Sequence, residues 1–277
     1  MSTFGARVRD AVATRGRLCV GIDPHEALLR EWGLGVDAAG AREFGLRTVD
    51  AAASTVGIVK PQVSFFERFG AAGFAALEDV MSAARAAELI VIADAKRGDI
   101  GTTMDAYAAA WLTPGSSLEA DAVTLSPYLG VGALSSTFDV ALAHDKGAFV
   151  LAATSNPEAA DLQSARVNTG ATVAAAVADQ VFAADTSDGE WSSLGLVVGA
   201  TVDLAARGLR RFPRTVPVLA PGFGAQGAQP QDLPGIFGGF ADGVIASESR
   251  SILSAGPDRL AARIAERAAL YRGESHG

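Results

Sequence analysis

Eight short runs of apolar, often β-branched residues recur along the chain, and their spacing constrains the fold more than any other feature. They are LCVGID (18–23), VGIVKP (56–61), LIVIADAK (89–96), AVTLSP (122–127), GAFVLAAT (147–154), LGLVVGAT (194–201), VPVLAPG (216–222) and GVIASES (243–249). Nearly all are continuous rather than alternating, as expected of parallel strands covered by helices on one side and by a packed interior on the other. Alanine-rich segments of helical spacing lie between them, such as AREFGLRTVDAAAS and GFAALEDVMSAARAAE, and the last run is followed by PDRLAARIAERAALYR. Eight strand-helix alternations predict an α/β fold of the (β/α)8 TIM-barrel type, one domain over residues 1–277. Periodicity does not show closure, so a doubly wound open sheet is the alternative. No linker or low-complexity tract divides the chain. The polar stretch ADTSDGEWSS (184–193) reads as an exposed connection.

Composition narrows the partners. With 49% hydrophobic and 19% charged residues, 277 residues can bury a sizeable core. Lys and Arg number 23 against 31 Asp and Glu, and no dense basic block is present to neutralise a phosphate backbone, which argues against nucleic acid. The single cysteine, Cys19, lies within LCVGI and cannot form an intrachain disulfide. It reads as a buried structural thiol in a reducing compartment. His25, His144 and His276 are scattered without ligand spacing, so no metal site is expected. The N-terminal segment lacks an apolar signal core, and no run approaches the ~20 apolar residues of a membrane span. A cytoplasmic, soluble protein is expected.

Polar residues gather where the strands should end: Asp23, Lys60, Asp94 with Lys96, Ser126, 154–156, Pro221 to Gln226, and Ser247 to Arg250. In a barrel these ends open on one face, where such folds keep their chemistry. Asp94 and Lys96 are two apart and point the same way, with Lys60 expected on the adjacent strand, giving a Lys-Asp-Lys row. Taken singly, each could be a solvated strand-end charge, but exposed ion pairs stabilise by only ~0–1 kcal/mol, which gives little reason for three together. After the seventh and eighth runs, APGFGAQGA and SESRSI offer glycine-rich backbone, the amide of Gln226 and the guanidinium of Arg250. That is an anion site in outline. The competing reading has the glycines making turns and Arg250 pairing with Glu248. Asp23 before Pro24 could open a turn, Ser155 and Asn156 could cap a helix, and so could Thr102 and Thr103. Trp32, Trp111 and Trp191 read as packing residues.

These residues resemble the orotidine 5'-phosphate decarboxylase family. DAKRGDIGTT carries its Asp-x-Lys-x-x-Asp pattern, and LCVGIDP, VKPQVSFFERFG, ATSNP, PGFGAQG and SRSI follow in the family's order over nearly the whole chain. KPQ, SNP and PGFGAQG are similar to its longer bacterial branch. The resemblance implies a catalytic array of Lys60, Asp94, Lys96 and Asp99, with Lys96 as proton donor. It implies Asp23 and Lys60 at the ribose, Ser155 at the pyrimidine, and Pro221, Gln226 and Arg250 around the phosphate. It also implies a homodimer in which Asp99 and Thr103 complete the partner's site. Gly101, where other branches have proline, and the longer SESRSI in place of GRSI depart from the family pattern.

The implied reaction suits these residue types. Loss of carbon dioxide from C6 of orotidine 5'-phosphate leaves an electron pair with no adjacent carbonyl to receive it. An ammonium beside C6 stabilises that charge and then protonates the carbon, and flanking carboxylates keep it charged. Asp94 near the departing carboxylate would repel the ground state more than the transition state. No cofactor is required. The alternatives are a metal-dependent sugar-phosphate decarboxylase or aldolase of the same wider barrel group, which shares the Asp-x-Lys-x-x-Asp segment, and an inactive phosphate-binding scaffold.

Overall fold

The computed structural model describes residues 2–272; His276 lies outside them. All eight predicted runs form strands: β1 (Leu18–Ile22), β2 (Ile58–Pro61), β3 (Ile90–Arg97), β4 (Ala122–Leu125), β5 (Gly147–Ala153), β6 (Leu194–Val198), β7 (Val218–Pro221) and β8 (Val244–Glu248). They pair in sequence order, and β8 returns to β1 through Leu18–Ala246, Cys19–Ser247 and Val20–Glu248. Every pair is parallel, so the sheet is a closed barrel and the open-sheet alternative falls. Closure leaves no strand edge unpaired.

The continuous apolar runs divide by parity into two cores. Cys19, Ile58, Ile90, Ile92, Ala122, Phe149, Val197, Leu219 and Ile245 point into the barrel. Their neighbours Val20, Val59, Val91, Val123 and Val150 point outward into the larger layer against the helices. The period of two in the side-chain direction makes this split automatic. Outside, the helices Ala38–Ala53 and Gly70–Ala86 approach so closely that a Cβ on Gly45 would lie 2.4 Å from Val80. Trp32 and Trp111 are buried, as their reading as packing residues requires.

The floor of the barrel is sealed by the helix Phe4–Arg15. Thr3 caps it, its hydroxyl accepting from the Ala6 N–H at 3.3 Å. Phe4 and Val8 enter the inner core, and Phe4 meets Phe149 edge to face with centroids 6.0 Å apart. Gly147 is obligatory here, since a Cβ would sit 2.3 Å from the Phe4 ring. The polar stretch 184–193 differs from expectation. Only 188–190 is a run of exposed residues; Ser192 and Ser193 are buried, and Ser193 Oγ accepts from the Gly5 N–H at 3.2 Å. Asp185 accepts from the Leu194 N–H and pairs with Arg214 at 3.2 Å. Its polar side chains are therefore spent on anchoring the chain to the floor, which composition alone does not reveal. Among the described residues no helix is long and apolar enough to cross a membrane.

Candidate active site

At the opposite end the inward-facing positions change from apolar to ionic. On five of the eight strands the parity carries on into this layer: Ile58 leads to Lys60, Ile92 to Asp94 and Lys96, Ala122 to Thr124, Leu219 to Pro221, and Ile245 to Ser247. A cavity of about 350 Å³ opens there, lined by Asp23, Lys60, Asp94 and Lys96 together with Pro221, Gln226 and Arg250. The C-terminal mouth of a barrel is where loops can vary without disturbing the core beneath.

Asp94 is the hub. Its Oδ2 accepts from Lys60 Nζ at 2.8 Å, and its Oδ1 accepts from Lys96 Nζ at 2.5 Å and from Thr124 Oγ1 at 2.9 Å. Burial works against both charges of the Lys60–Asp94 pair. The field of Asp94, and after it that of Asp23, overcomes this for Lys60 and holds its ammonium well above the ordinary lysine range. Desolvation opposes the Asp94 carboxylate as well, but Lys60 and then Lys96 outweigh it and hold the acid well below the ordinary range. Cys19 lies beneath this pair; burial pushes its thiol up to about 12, only partly offset by Lys60. The hydrocarbon floor thus keeps its one thiol inert while the layer above stays charged.

Lys96 takes an uncommon backbone conformation, φ +49°, where β3 slips register against β4 between Ala93 and Arg97. Thr124 Oγ1 accepts from the Lys96 N–H at 2.9 Å, so one hydroxyl braces both the hub and the irregular residue. Lys96 is the accessible member of the row, its side chain 45% exposed against 6% for Lys60.

The remaining expected residues divide. Asp23 lines the cavity, and its Oδ1 is buried with no hydrogen-bond partner among the described residues, an acceptor awaiting a donor. Gln226 and Arg250 stand at the cavity on the loops after β7 and β8, Arg250 opening the short helix Arg250–Leu253. The alternative pairing of Arg250 with Glu248 does not form, because Glu248 points outward and binds Arg267 at 2.6 Å. Ser155 is exposed and does not line the cavity; it follows the end of β5 at Ala153 and rests against Gly199 just beyond β6, where a Cβ would fall 3.2 Å from the Ser155 nitrogen. Neither it nor Asn156 caps the following helix Ala159–Ser164, whose N-terminal flank is Glu158.

Asp99 and Thr103 also stand apart from the row within one chain. β3 ends at Arg97, and Gly98 packs over Ser126, a Cβ there falling 2.4 Å from the Ser126 carbonyl oxygen. The chain then enters the helix Gly101–Leu112. The Asp99 carboxylate accepts from the Ile100 N–H at 2.8 Å, and Thr103 is exposed inside the helix rather than capping it. Ile100, Tyr128 and Leu129 are exposed on the same end of the barrel, after β3 and β4.

Sequence reasoning overlooked Thr124, Gln62, His25 and Phe65. Thr124 was findable, being two residues beyond inward-facing Ala122. Gln62, whose amide oxygen accepts from Lys60 at 3.3 Å, follows the same rule on β2. His25 and Phe65, with ring centroids 6.0 Å apart, come from segments beyond the strands that carry no periodic signal.

Fold and cavity define a class: a (β/α)8 barrel whose ionic row shares a cavity with the two loops that carry Gln226 and Arg250. Comparison with known proteins narrows it. Residues 16–265 match the family model described as orotidine 5'-phosphate decarboxylase / HUMPS family. The chain is 50% identical to the orotidine 5'-phosphate decarboxylase of Salinispora arenicola, covering 96% of this chain and 95% of that one. It is 48% identical to that of Corynebacterium efficiens, covering 98% of each. A crystal structure from Streptomyces avermitilis assigned to the same enzyme superposes with a TM-score of 0.94 at 45% identity, covering 99% of this chain and 96% of that one. The Leishmania donovani OMP decarboxylase structure gives 0.75 at 32% identity, with 99% and 100% coverage. The chain belongs to the orotidine 5'-phosphate decarboxylase / HUMPS family.

Proposed function

We propose that this chain decarboxylates orotidine 5'-phosphate to uridine 5'-phosphate, in the synthesis of pyrimidine nucleotides, and that it does so without a cofactor. The observation that carries the reading is the Lys60–Asp94–Lys96 row, saturated around one carboxylate and lining one cavity with Gln226 and Arg250. The relatives at about half identity favour this reaction over the metal-dependent sugar-phosphate chemistry that belongs to the wider barrel group.

In this reading the phosphate lies between Gln226 and Arg250, against backbone N–H groups of the 222–228 turn. The unpartnered Asp23 oxygen and Lys60 take the ribose hydroxyls. The pyrimidine C6 then faces Lys96. The bond between C6 and the carboxylate carbon breaks with its electron pair left on C6, and carbon dioxide departs. Lys96 Nζ gives a proton to C6, and the neutral amine recovers a proton from solvent. The net change is uptake of one proton and release of one carbon dioxide. Asp94 holds the ammonium in place before the bond breaks, so its field requires no reorganisation as charge develops.

Asp99 and Thr103 enter through a second copy of the chain, giving a homodimer with shared sites. The exposed Ile100, Tyr128 and Leu129 on the same end supply apolar surface for that contact. Ser155, exposed here, would reach the pyrimidine only by movement of the loop after β5 over the bound ring. Residues 1–277 act as one catalytic domain.

The test is turnover of orotidine 5'-phosphate by purified, metal-stripped protein, following uridine 5'-phosphate. Production at an undiminished rate in EDTA supports the reading. Activity that appears only on adding a divalent cation transfers the chain to the metal-dependent group.

A further inference from the structure

Outside the Lys60–Asp94–Lys96 row, a second buried polar cluster is built on Glu248. This side chain is the outward neighbour of inward-facing Ser247 and is completely buried. Its Oε1 accepts from Arg267 Nη2 and from the Tyr271 hydroxyl, each at 2.6 Å, and its Oε2 accepts from Arg267 Nε at 2.9 Å. The Ser251 hydroxyl also donates to Oε2. A buried carboxylate with a guanidinium fork and two hydroxyl donors is fully satisfied, and removal of the guanidinium leaves its charge uncompensated.

The donors come from two places. Arg267 and Tyr271 lie on the last helix, Leu260–Arg272, and Ser251 lies one residue beyond Arg250 on the short helix Arg250–Leu253. The turn after β7 rests on the same cluster. Gly224 has φ +69°, and a Cβ there would fall 2.7 Å from both Glu248 Oε2 and Ser251 Oγ. Phe223 in that turn meets the Tyr271 ring edge to face at 5.7 Å. One carboxylate therefore supports both loops that present Gln226 and Arg250 to the cavity. It also removes a rival: Glu248 is two residues from Arg250, and with its oxygens occupied it leaves that guanidinium without a carboxylate partner among the described residues.

We propose that Glu248, Arg267 and Tyr271 form a positioning network for the phosphate grip, fixing the turn 222–228 and Arg250 in the geometry that receives the dianion. These three touch no substrate; they act through Gly224, Ser251 and Arg250. The inference rests on the phosphate reading of Gln226 and Arg250 given above. It predicts that disruption will damage recognition of the phosphate and spare recognition of the nucleoside.

Calorimetric titration of the intact protein with uridine 5'-phosphate and with uridine separates these. Arg267→Leu is expected to weaken uridine 5'-phosphate binding about tenfold or more while uridine binding stays within about twofold, the loss of one well-placed charged contact. Tyr271→Phe keeps the ring on Phe223 and removes one donor, so a loss of about threefold on the same ligand is expected. The KM for orotidine 5'-phosphate should rise in step, and Arg267→Lys should recover part of the loss. Equal weakening of both ligands, or no weakening in a folded variant, overturns the proposal; if Arg267→Leu does not fold, Tyr271→Phe decides on the same criterion. If the unmodified protein binds uridine as tightly as its phosphate, the phosphate reading itself fails and the network loses its role with it.

Discussion

Replacing Asp94 by asparagine tests whether the ionic row is built around that carboxylate. The substitution preserves shape and removes the charge that faces Lys60, whose side chain is 6% exposed and whose other close partner is the Gln62 amide at 3.3 Å. Stranding one partner of a buried pair costs about 3–5 kcal/mol, and the field of Asp23 on Lys60 places the expected loss near ~3 kcal/mol. At about 2 °C per kcal/mol for a chain of this length, the melting temperature at pH 7 should fall by roughly 6 °C. The pH dependence has a definite sign. Asp94 is held below the ordinary carboxylate value, so its stabilisation is complete above about pH 4 and is lost as acid approaches the depressed value. The difference between the two proteins should therefore shrink by ~1.4 kcal/mol per pH unit below about pH 4. Lys60 is raised, so its share is complete below about pH 10.4 and is lost as alkali passes through the raised value. Urea unfolding of both proteins from pH 3 to pH 7 measures the difference directly. A variant within 1 kcal/mol of the parent at pH 7, or a difference that stays constant into acid, refutes the account of the row; turnover should meanwhile drop more than about 10²-fold.

Other substitutions address separate parts. Lys96→Ala should nearly abolish turnover while calorimetry still detects uridine 5'-phosphate binding, whereas near-normal turnover would remove it as the proton donor. Arg250→Ala should mainly raise KM, by about tenfold or more; an unchanged KM removes Arg250 from the phosphate. Thr124→Val, close in shape and lacking the hydroxyl that braces Asp94 and the Lys96 backbone, should lower kcat with little change in nucleotide affinity, and Thr124→Ser should recover it. Cys19, buried with its thiol pushed up to about 12, should resist a thiol reagent at pH 8 in the native protein and react once urea unfolds it; fast native labelling would contradict the sealed floor. Mixing Lys96→Ala with Asp99→Ala subunits should restore part of the activity that each lacks alone, and no recovery would count against sites shared between copies.

The strands were legible because a continuous apolar run bounded by polar residues is a local property, and each of the eight maps onto an observed strand. The row Lys60, Asp94 and Lys96 was legible for the same reason, since parity along a strand carries a side chain from floor to mouth. That Ser155 lies outside the cavity was not legible, because a loop's path after its strand has no period to read. The segment 184–193 was read correctly as a connection but only in part as exposed, because polar composition does not distinguish a solvated side chain from one bonded to a neighbouring backbone, as Asp185 and Ser193 are. Glu248 looked like a partner for Arg250 by proximity in sequence. Alternation sends it instead to the outer face of the same strand, where a helix some twenty residues on carries Arg267 and Tyr271.

The alternation that aims Asp94 and Lys96 inward also restricts how such a chain can change over generations. Deleting one residue between Ile90 and Ala93 would turn both ions out among the helices and drive two aliphatic neighbours into the mouth. Loops at either rim can lengthen or shrink without that exchange of faces. Lineages of this barrel should therefore collect their insertions between strands, and the eight staves should keep an unbroken count.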